Sequence, residues 1–213
     1  AKKFLYDNNQ NRGLNFINKS VYFDREQIKL LLNSQTNENV LDQVDLTHRR
    51  LFNSVSHTPW LYQMSYVDMH TFMPSQNLAY TDRSSMHHSI EVRVPFLDLE
   101  FVEFMLNYVD PKLNTSALNG KKLLRKAFRD SIYPPILKAP KAGFGLPINL
   151  LLRTNLKPFL LESLSQKNVE NTKLLNYKEV SKVVDNFLND KQDTSWKVWQ
   201  LLVLVIWLNT RQY

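Results

Sequence analysis

Residues able to do chemistry concentrate in two short stretches. From Tyr80 to Asp98 the chain reads YTDRSSMHHSIEVRVPFLD, with Asp82, Arg83, Glu91, Arg93 and Asp98 interleaved among Met86, Ile90, Val92, Val94, Phe96 and Leu97. Charged groups in such company are costly to bury unless each finds a partner. Pairing of Arg83 or Arg93 with Asp82, Glu91 or Asp98 would satisfy them. Alternatively, one face is left for a charged ligand, because a guanidinium is a rigid, always-ionised fork suited to carboxylate or phosphate. The pattern leaves both open. The second stretch, ILKAPKAGFGLP, sets Lys141 close to Gly143 and Gly145. Glycines let a backbone approach a ligand closely, and a loop ammonium can clamp a phosphate or an oxyanion; a plain surface turn is the alternative.

Other chemistries find little support. Histidines 48, 57, 70, 87 and 88 lack the H-E-x-x-H spacing of a metal site, so no protein-held metal is expected, although His87 and His88 could titrate near neutral pH. No G-x-S-x-G elbow, G-x-G-x-x-G turn or P-loop occurs, and the chain has only 4 glycines. Cysteine is absent, which excludes disulfides and thiolate chemistry from this chain and fits a cytoplasmic protein. The net charge of +7 is spread rather than run together, so excess surface lysine is the expectation and nucleic acid is not. The apolar run Val198 to Leu208 is too short to span a bilayer and contains Gln200, so a buried helix is expected and no membrane partner.

The elements that must carry these stretches read as helices. With 213 residues, 43% hydrophobic and 22% charged, the chain is long and apolar enough to fold. Residues 1–20 read as a connector from something upstream, and 21–213 as the folded part. Asp24 is placed to cap a helix running through Ile28 and Leu30 to Leu32. Mixed three and four spacing predicts helices over 40–52 and 59–72, with Pro74 interrupting. Asp98 should cap a helix to about Val109 that is buried on most sides and ended by Asp110 and Pro111.

In NGKKLLRKAFRDSIYPP, Leu123, Leu124, Ala127, Phe128 and Ile132 form an apolar face opposite Lys121, Lys122, Arg125, Lys126 and Arg129, with Pro134 and Pro135 as the stop. That basic face is either solvated or turned to phosphate. Short helices follow over 146–153 and 158–164, then an amphipathic one from Tyr177 to Leu188. The last, WKVWQLLVLVIWLN, is apolar all round and expected to be packed inside the complete protein. Strand-like alternation is scarce, so the chain is expected to be mainly α.

The central stretch resembles the asparagine synthetase family, whose synthetase domain carries D-R-x-S-M-x-x-S-hydrophobic-E-x-R-x-P-F-L-D. Asp82, Arg83, Ser85, Met86, Ser89, Ile90, Glu91, Arg93, Pro95, Phe96, Leu97 and Asp98 stand at those places. Gly120, Lys121, Leu124, Arg125 and Ala127 are similar to the family's G-K-x-x-L-R-x-A, and Pro140, Lys141, Gly143, Phe144 and Pro147 to its P-K-x-G-F-x-x-P. The tryptophan-rich last helix, with Trp199 and Trp207, is also similar. The likeness covers roughly 68–208. Ala139 stands where the family has arginine, and His87 where it has a small residue, which puts the substrate in question.

The resemblance implies adenylation of a carboxylate by Mg-ATP, followed by attack of glutamine-derived ammonia to give an amide. It assigns Lys141 and Glu91 as catalytic, with Lys141 stabilising charge on phosphates or the transition state and Glu91 orienting Lys141 or a neighbour. Asp82, Arg83, Arg93, Gly143 and Phe144 would lie in the vicinity of ATP, pyrophosphate or substrate. It also implies that this is the helical carboxy-terminal portion of an α/β adenine-nucleotide α-hydrolase-like (ATP pyrophosphatase) domain whose parallel sheet lies upstream. The family's S-G-G-x-D-S loop, S-G-E-G-S-D-E segment and amino-terminal glutaminase cysteine are not in this sequence, so the chain is expected to be inactive alone. Its partners would be the upstream sheet, a glutaminase domain in the same or a separate chain, a small-molecule carboxylate and, as an open alternative, a second copy in a homodimer. A relative that amidates or cyclises another carboxylate, and a non-catalytic helical scaffold, are the alternatives.

Overall fold

The computed structural model describes residues 16, 21–33, 38–114, 120–139, 145–189 and 193–211. In chain order the helices are α1 (Arg25–Leu31), α2 (Glu38–Ser54), α3 (Trp60–His70), a π-helical stretch (Met73–Leu78), α4 (Ala79–Met86), a 3-10 turn (Pro95–Leu97), α5 (Leu99–Tyr108) and α6 (Pro111–Asn114). They continue as α7 (Lys122–Ala127), α8 (Pro134–Lys138), α9 (Ile148–Arg153), α10 (Lys157–Ser163), α11 (Gln166–Asn171), α12 (Tyr177–Asn189) and α13 (Ser195–Thr210). Among the described residues the only β pairing is the isolated antiparallel bridge between Leu32 and Leu175, so the mainly helical expectation holds. The expected connector over 1–20 falls, apart from Phe16, outside the described residues.

The chain divides into two compact units, Ala1–Lys19 with Val44–Lys141, and Ser20–Gln43 with Ala142–Tyr213. The second closes a core. On α12, Val180, Val184 and Phe187 recur at helical spacing and are buried; on α13, Val198, Leu201, Leu202 and Val205 do the same. Helices α9, α10, α11 and α12 pack on α13, and α1 packs on α12.

Polar groups brace this core. Asp24 caps α1 through a reciprocal pair with Gln27, its carboxylate accepting from Gln27 N–H at 2.8 Å. The Arg153 guanidinium lies over the Phe187 ring at 4.4 Å and donates to Leu188 O at 3.0 Å. Asp193 accepts from the Ser195 hydroxyl at 2.5 Å and the Asn149 amide at 2.8 Å, tying α9 to the start of α13. Those bonds hold the Asp193 carboxyl below its ordinary value.

The last helix is not buried all round. Trp196, Val203 and Trp207 lie on a stripe that stays exposed opposite the packed one, with Trp196 stacked on Tyr22 and Arg211 over Trp207. Among the described residues, no helix is long and apolar enough to cross a membrane.

The 44–141 unit has a much smaller centre. Buried Phe52 and Val67 are joined by Phe16, Leu51 and Trp60, with Phe52 and Trp60 stacked at 5.6 Å and Phe16 edge-on to both. The Tyr62 hydroxyl donates to the Met105 and Val109 carbonyls, anchoring the far end of α5; burial, and then Asp110, raise its pKa. Asp98 caps α5 as expected, accepting from Phe101 N–H at 3.1 Å.

Two expectations fail in this unit. Helix α5 has no buried residue: Leu99, Phe104 and Tyr108 are exposed, Tyr108 to 79%, because nothing described packs on that face. The prolines also act differently from the stops expected of them. Pro74 falls inside the π-helical stretch, where the wider turn absorbs the missing donor and the chain stays helical into α4. Pro134 and Pro135 occupy the first turn of α8, where an absent N–H costs nothing, while α7 has already ended at Ala127.

Candidate functional site

The stretch from Ala79 to Asp98 is a helix, a reversal, an extended segment and a capped turn. After α4 the Ser89 N–H donates to Met86 O at 2.9 Å and the Ile90 N–H to Ser85 O at 3.0 Å, the paired bonds of a Schellman ending. Ser89 takes the left-handed conformation this requires, with φ 57°, at a position glycine usually fills. His88 Nδ1 lies 3.1 Å from Ser84 O, and the His87 and His88 rings stand edge-to-face, so both are engaged locally at this reversal.

Residues 90–94 then run without helix to Val94, which Pro95 biases away from the α region. In such a segment residues two apart share a side. Glu91 and Arg93 do so and pair at 2.7 Å, with their side chains 69% and 83% exposed. An ion pair this open contributes about 0–1 kcal/mol, so it fixes side-chain direction more than stability.

Of the internal pairings anticipated for this stretch, Glu91–Arg93 forms. The Asp98 carboxylate serves the α5 cap. Asp82 and Arg83 sit exposed on α4, and among the described residues no ion pair or hydrogen bond joins their side chains to Glu91 or Arg93. The premise that these charges are buried among apolar neighbours does not hold. Met86, Ile90, Val92, Val94 and Phe96 are all exposed, so the desolvation cost that would demand a closed network is absent.

Lys141, Gly143 and Phe144 lie outside the described residues. Their flanks are α8, ending before Ala139, and Gly145 to Pro147 leading into α9. The basic face of α7 is only partly solvated. Lys122, Lys126 and Arg129 are exposed, whereas Arg125 is half-buried and its guanidinium donates to Leu137 O, tying α7 to α8. Lys121, before α7, has φ 57°.

Two groups escaped the sequence reading. Asp68 on α3 is half-buried, and burial raises its pKa against the opposing pull of His48 on α2. No spacing rule links the two. Lys197 had a legible signal, a single cation inside an apolar helix; it is half-buried and donates to Gln27 Oε1 at 2.9 Å.

Comparison with known proteins adds a family. The family profile for asparagine synthase matches residues 6–209. The chain is 30% identical over 182 residues to asparagine synthetase [glutamine-hydrolyzing] 1 of Bacillus subtilis, covering 85% of this chain and 28% of that protein. A putative asparagine synthetase [glutamine-hydrolyzing] of Mycobacterium bovis is 26% identical over 68% of this chain and 22% of its own length. A probable asparagine synthetase [glutamine-hydrolyzing] of Acanthamoeba polyphaga mimivirus is 42% identical over 67 residues, 30% of this chain and 12% of that protein. The chain therefore spans less than a third of the length of these curated relatives. No solved structure matches it.

Proposed function

Because this chain belongs to the asparagine synthase family, we propose that it is the helical carboxy-terminal portion of the synthetase domain of an ATP-dependent amide-forming ligase. The observation that carries this reading is outward presentation. Asp82, Arg83, Glu91 and Arg93 stand at the family's spacing and are all exposed rather than consumed by a buried network.

In the proposed reaction a substrate carboxylate, that of aspartate by family likeness, attacks the α-phosphorus of ATP and pyrophosphate leaves. Ammonia then attacks the acyl carbon and AMP leaves, giving the amide. Mg-ATP, when bound, supplies the phosphoanhydride that activates the carboxylate. The residues present suit one side of such a site. Arg83 is an exposed guanidinium with no carboxylate partner among the described residues, and Arg93 is held by a single carboxylate, so both can face phosphate oxygens. Enclosure of a nucleotide is assigned to a parallel sheet upstream.

Lys141 is assigned the stabilisation of charge on the phosphates and the acyl oxygen, with Gly143 and Phe144 shaping its loop. Glu91, aimed by Arg93, orients Lys141 or a neighbouring group. Asp82 braces the α4 side. A glutaminase domain would supply ammonia, and the whole protein would work in the cytoplasm and could pair as a homodimer. A protein named Amidase chry2 from Gibberella zeae, 25% identical over 139 residues, favours a second reading in which another carboxylate is the substrate. His87 and Ala139, where the family has other residues, point the same way.

The test is pyrophosphate release with Mg-ATP, aspartate and ammonium, from this chain alone and from the whole natural protein. Release by the whole protein only is expected. Release by the isolated chain would contradict the division of labour, and silence in an intact whole protein that binds ATP would move the assignment to another carboxylate.

A further inference from the structure

Helix α5 is held at both ends and uncovered along its middle. The Asp98 cap fixes its start, and the Tyr62 hydroxyl donates to the carbonyls of Met105 and Val109 at its far end. Successive residues of a helix turn by about 100°, which sorts its side chains into three strips. Val102, Met105 and Leu106 share the inward strip and are half-buried. Phe101, Phe104 and Tyr108 share the next and are all exposed; the Phe104 and Tyr108 rings lie 5.8 Å apart, and Phe96 stands edge-on to Phe101 at the same distance. Glu100, Glu103 and Asn107 form the far edge, and among the described residues neither carboxylate has an ion pair. An aromatic centre with a polar rim is the anatomy of an interface.

The same unit carries a face of opposite charge. Helix α6, which follows α5 directly, packs on α7, and Arg125 ties α7 to α8. Around α7 and α8, Phe128, Tyr133 and Ile136 are exposed. Lys122 and Lys126, one helical turn apart, are exposed cations with no carboxylate partner among the described residues, whereas Arg129 is taken by Asp130 at 3.1 Å. Glu100 and Glu103 are likewise a turn apart, so two acids and two cations stand in rows of similar length, about 4.5 and 6 Å along their axes.

We propose that α5 of one copy of this chain lies on the face of α7 and α8 of a second copy, and the reverse, in a two-fold dimer. The aromatic strip meets Phe128, Tyr133 and Ile136, and the acidic edge meets Lys122 and Lys126. A two-fold axis makes such a pairing reciprocal and closed, so both contacts form together and no surface is left to extend a chain of copies. The helices are short, which places the dimer among small, weak interfaces with a dissociation constant of about 10–100 µM. At about 1 µM the chain is then mostly monomeric and α5 stays open. Neither face includes Asp82, Arg83, Glu91 or Arg93, so the pairing stands whether or not the amide-forming reading does.

The test is sedimentation equilibrium of the full chain from about 1 to 300 µM, beside two charge-reversed forms. Glu100→Lys with Glu103→Lys should weaken self-association at least about tenfold, and Lys122→Glu with Lys126→Glu should do the same. Mixed in equal amounts, the two reversed forms should pair with each other at close to wild-type strength, because each contact again sets acid against cation. Phe104→Ser should weaken the dimer about tenfold while leaving urea melts of the dilute chain unchanged, which separates docking from folding. A chain that stays monomeric to about 300 µM, growth past the dimer, reversed forms that associate like wild type, or a mixture no tighter than either form alone would overturn the proposal. So would a monomeric whole natural protein in which Tyr108 is shielded from hydroxyl-radical footprinting, since the face then belongs to another part of that protein.

Discussion

The 142–213 unit and the 44–141 unit are built from the same kind of helix and reach opposite outcomes. In the first, apolar residues at helical spacing meet across α9 to α13, and fourteen side chains from Leu31 to Val205 form one buried cluster. In the second, the buried cluster is Phe52 and Val67, while Leu99, Phe104, Tyr108, Tyr133 and Ile136 stay open to solvent. Helical propensity and amphipathic pattern are therefore common to both. What differs is whether a facing surface is present. An apolar stripe states that a helix wants cover, and not what covers it.

Core truncation separates the units most sharply. Phe187, fully buried beneath Arg153, should cost about 3–5 kcal/mol when changed to alanine. Tyr108→Ser on α5, 79% exposed, should stay within about 0.5 kcal/mol in the same urea melts. A loss at Tyr108 comparable to that at Phe187 would mean that α5 is covered in solution.

Acid should move the units in opposite directions. The Asp193 carboxyl is held below 3.8, so the stability it lends the 142–213 unit is present above that value and is lost as pH falls through its folded pKa. The Asp68 carboxyl is raised above 3.8; its contribution to the 44–141 unit is present below that value and is lost as pH rises through its folded pKa. Site-resolved hydrogen exchange between about pH 3 and 6 should show protection around α13 falling on acidification. Asp193→Asn should flatten that response and Asp68→Asn the opposite one around α3; unchanged profiles would remove the assignments.

Caps give the smaller effects. Asp24→Ala and Asp98→Ala should each cost about 1 kcal/mol, by melts and by exchange at Gln27 and Phe101 respectively. Ser89→Gly should be stabilising by up to about 1 kcal/mol, since the left-handed ending of α4 then carries no side-chain penalty. A destabilising Ser89→Gly would show that the serine side chain does something the backbone alone does not.

The sequence carried the helices best where a capping residue or a clear apolar period was present. Asp24, Asp98 and the spacing of Val180, Val184 and Phe187 were sufficient for α1, α5 and α12. Helix α11 was invisible because QKNVEN offers one apolar residue, Val169, and so no period. Pro134 and Pro135 were misread because proline both ends one helix and begins the next, and only the position of α7's own end distinguishes the two. At the site, the sequence offered Glu91 only as one of several partners for Arg93, and the extended run of 90–94 is what puts the two on one side. Their exposure was not legible, because burial depends on the surface opposite and not on the residue's own neighbours in the chain.

The most direct test of the account is turnover in the whole natural protein, wild type beside Lys141→Ala, followed as pyrophosphate release with Mg-ATP, aspartate and ammonium. The account predicts a loss of about a hundredfold or more, the scale of removing one preorganised electrostatic group. Near-normal turnover in the Lys141→Ala protein would contradict it.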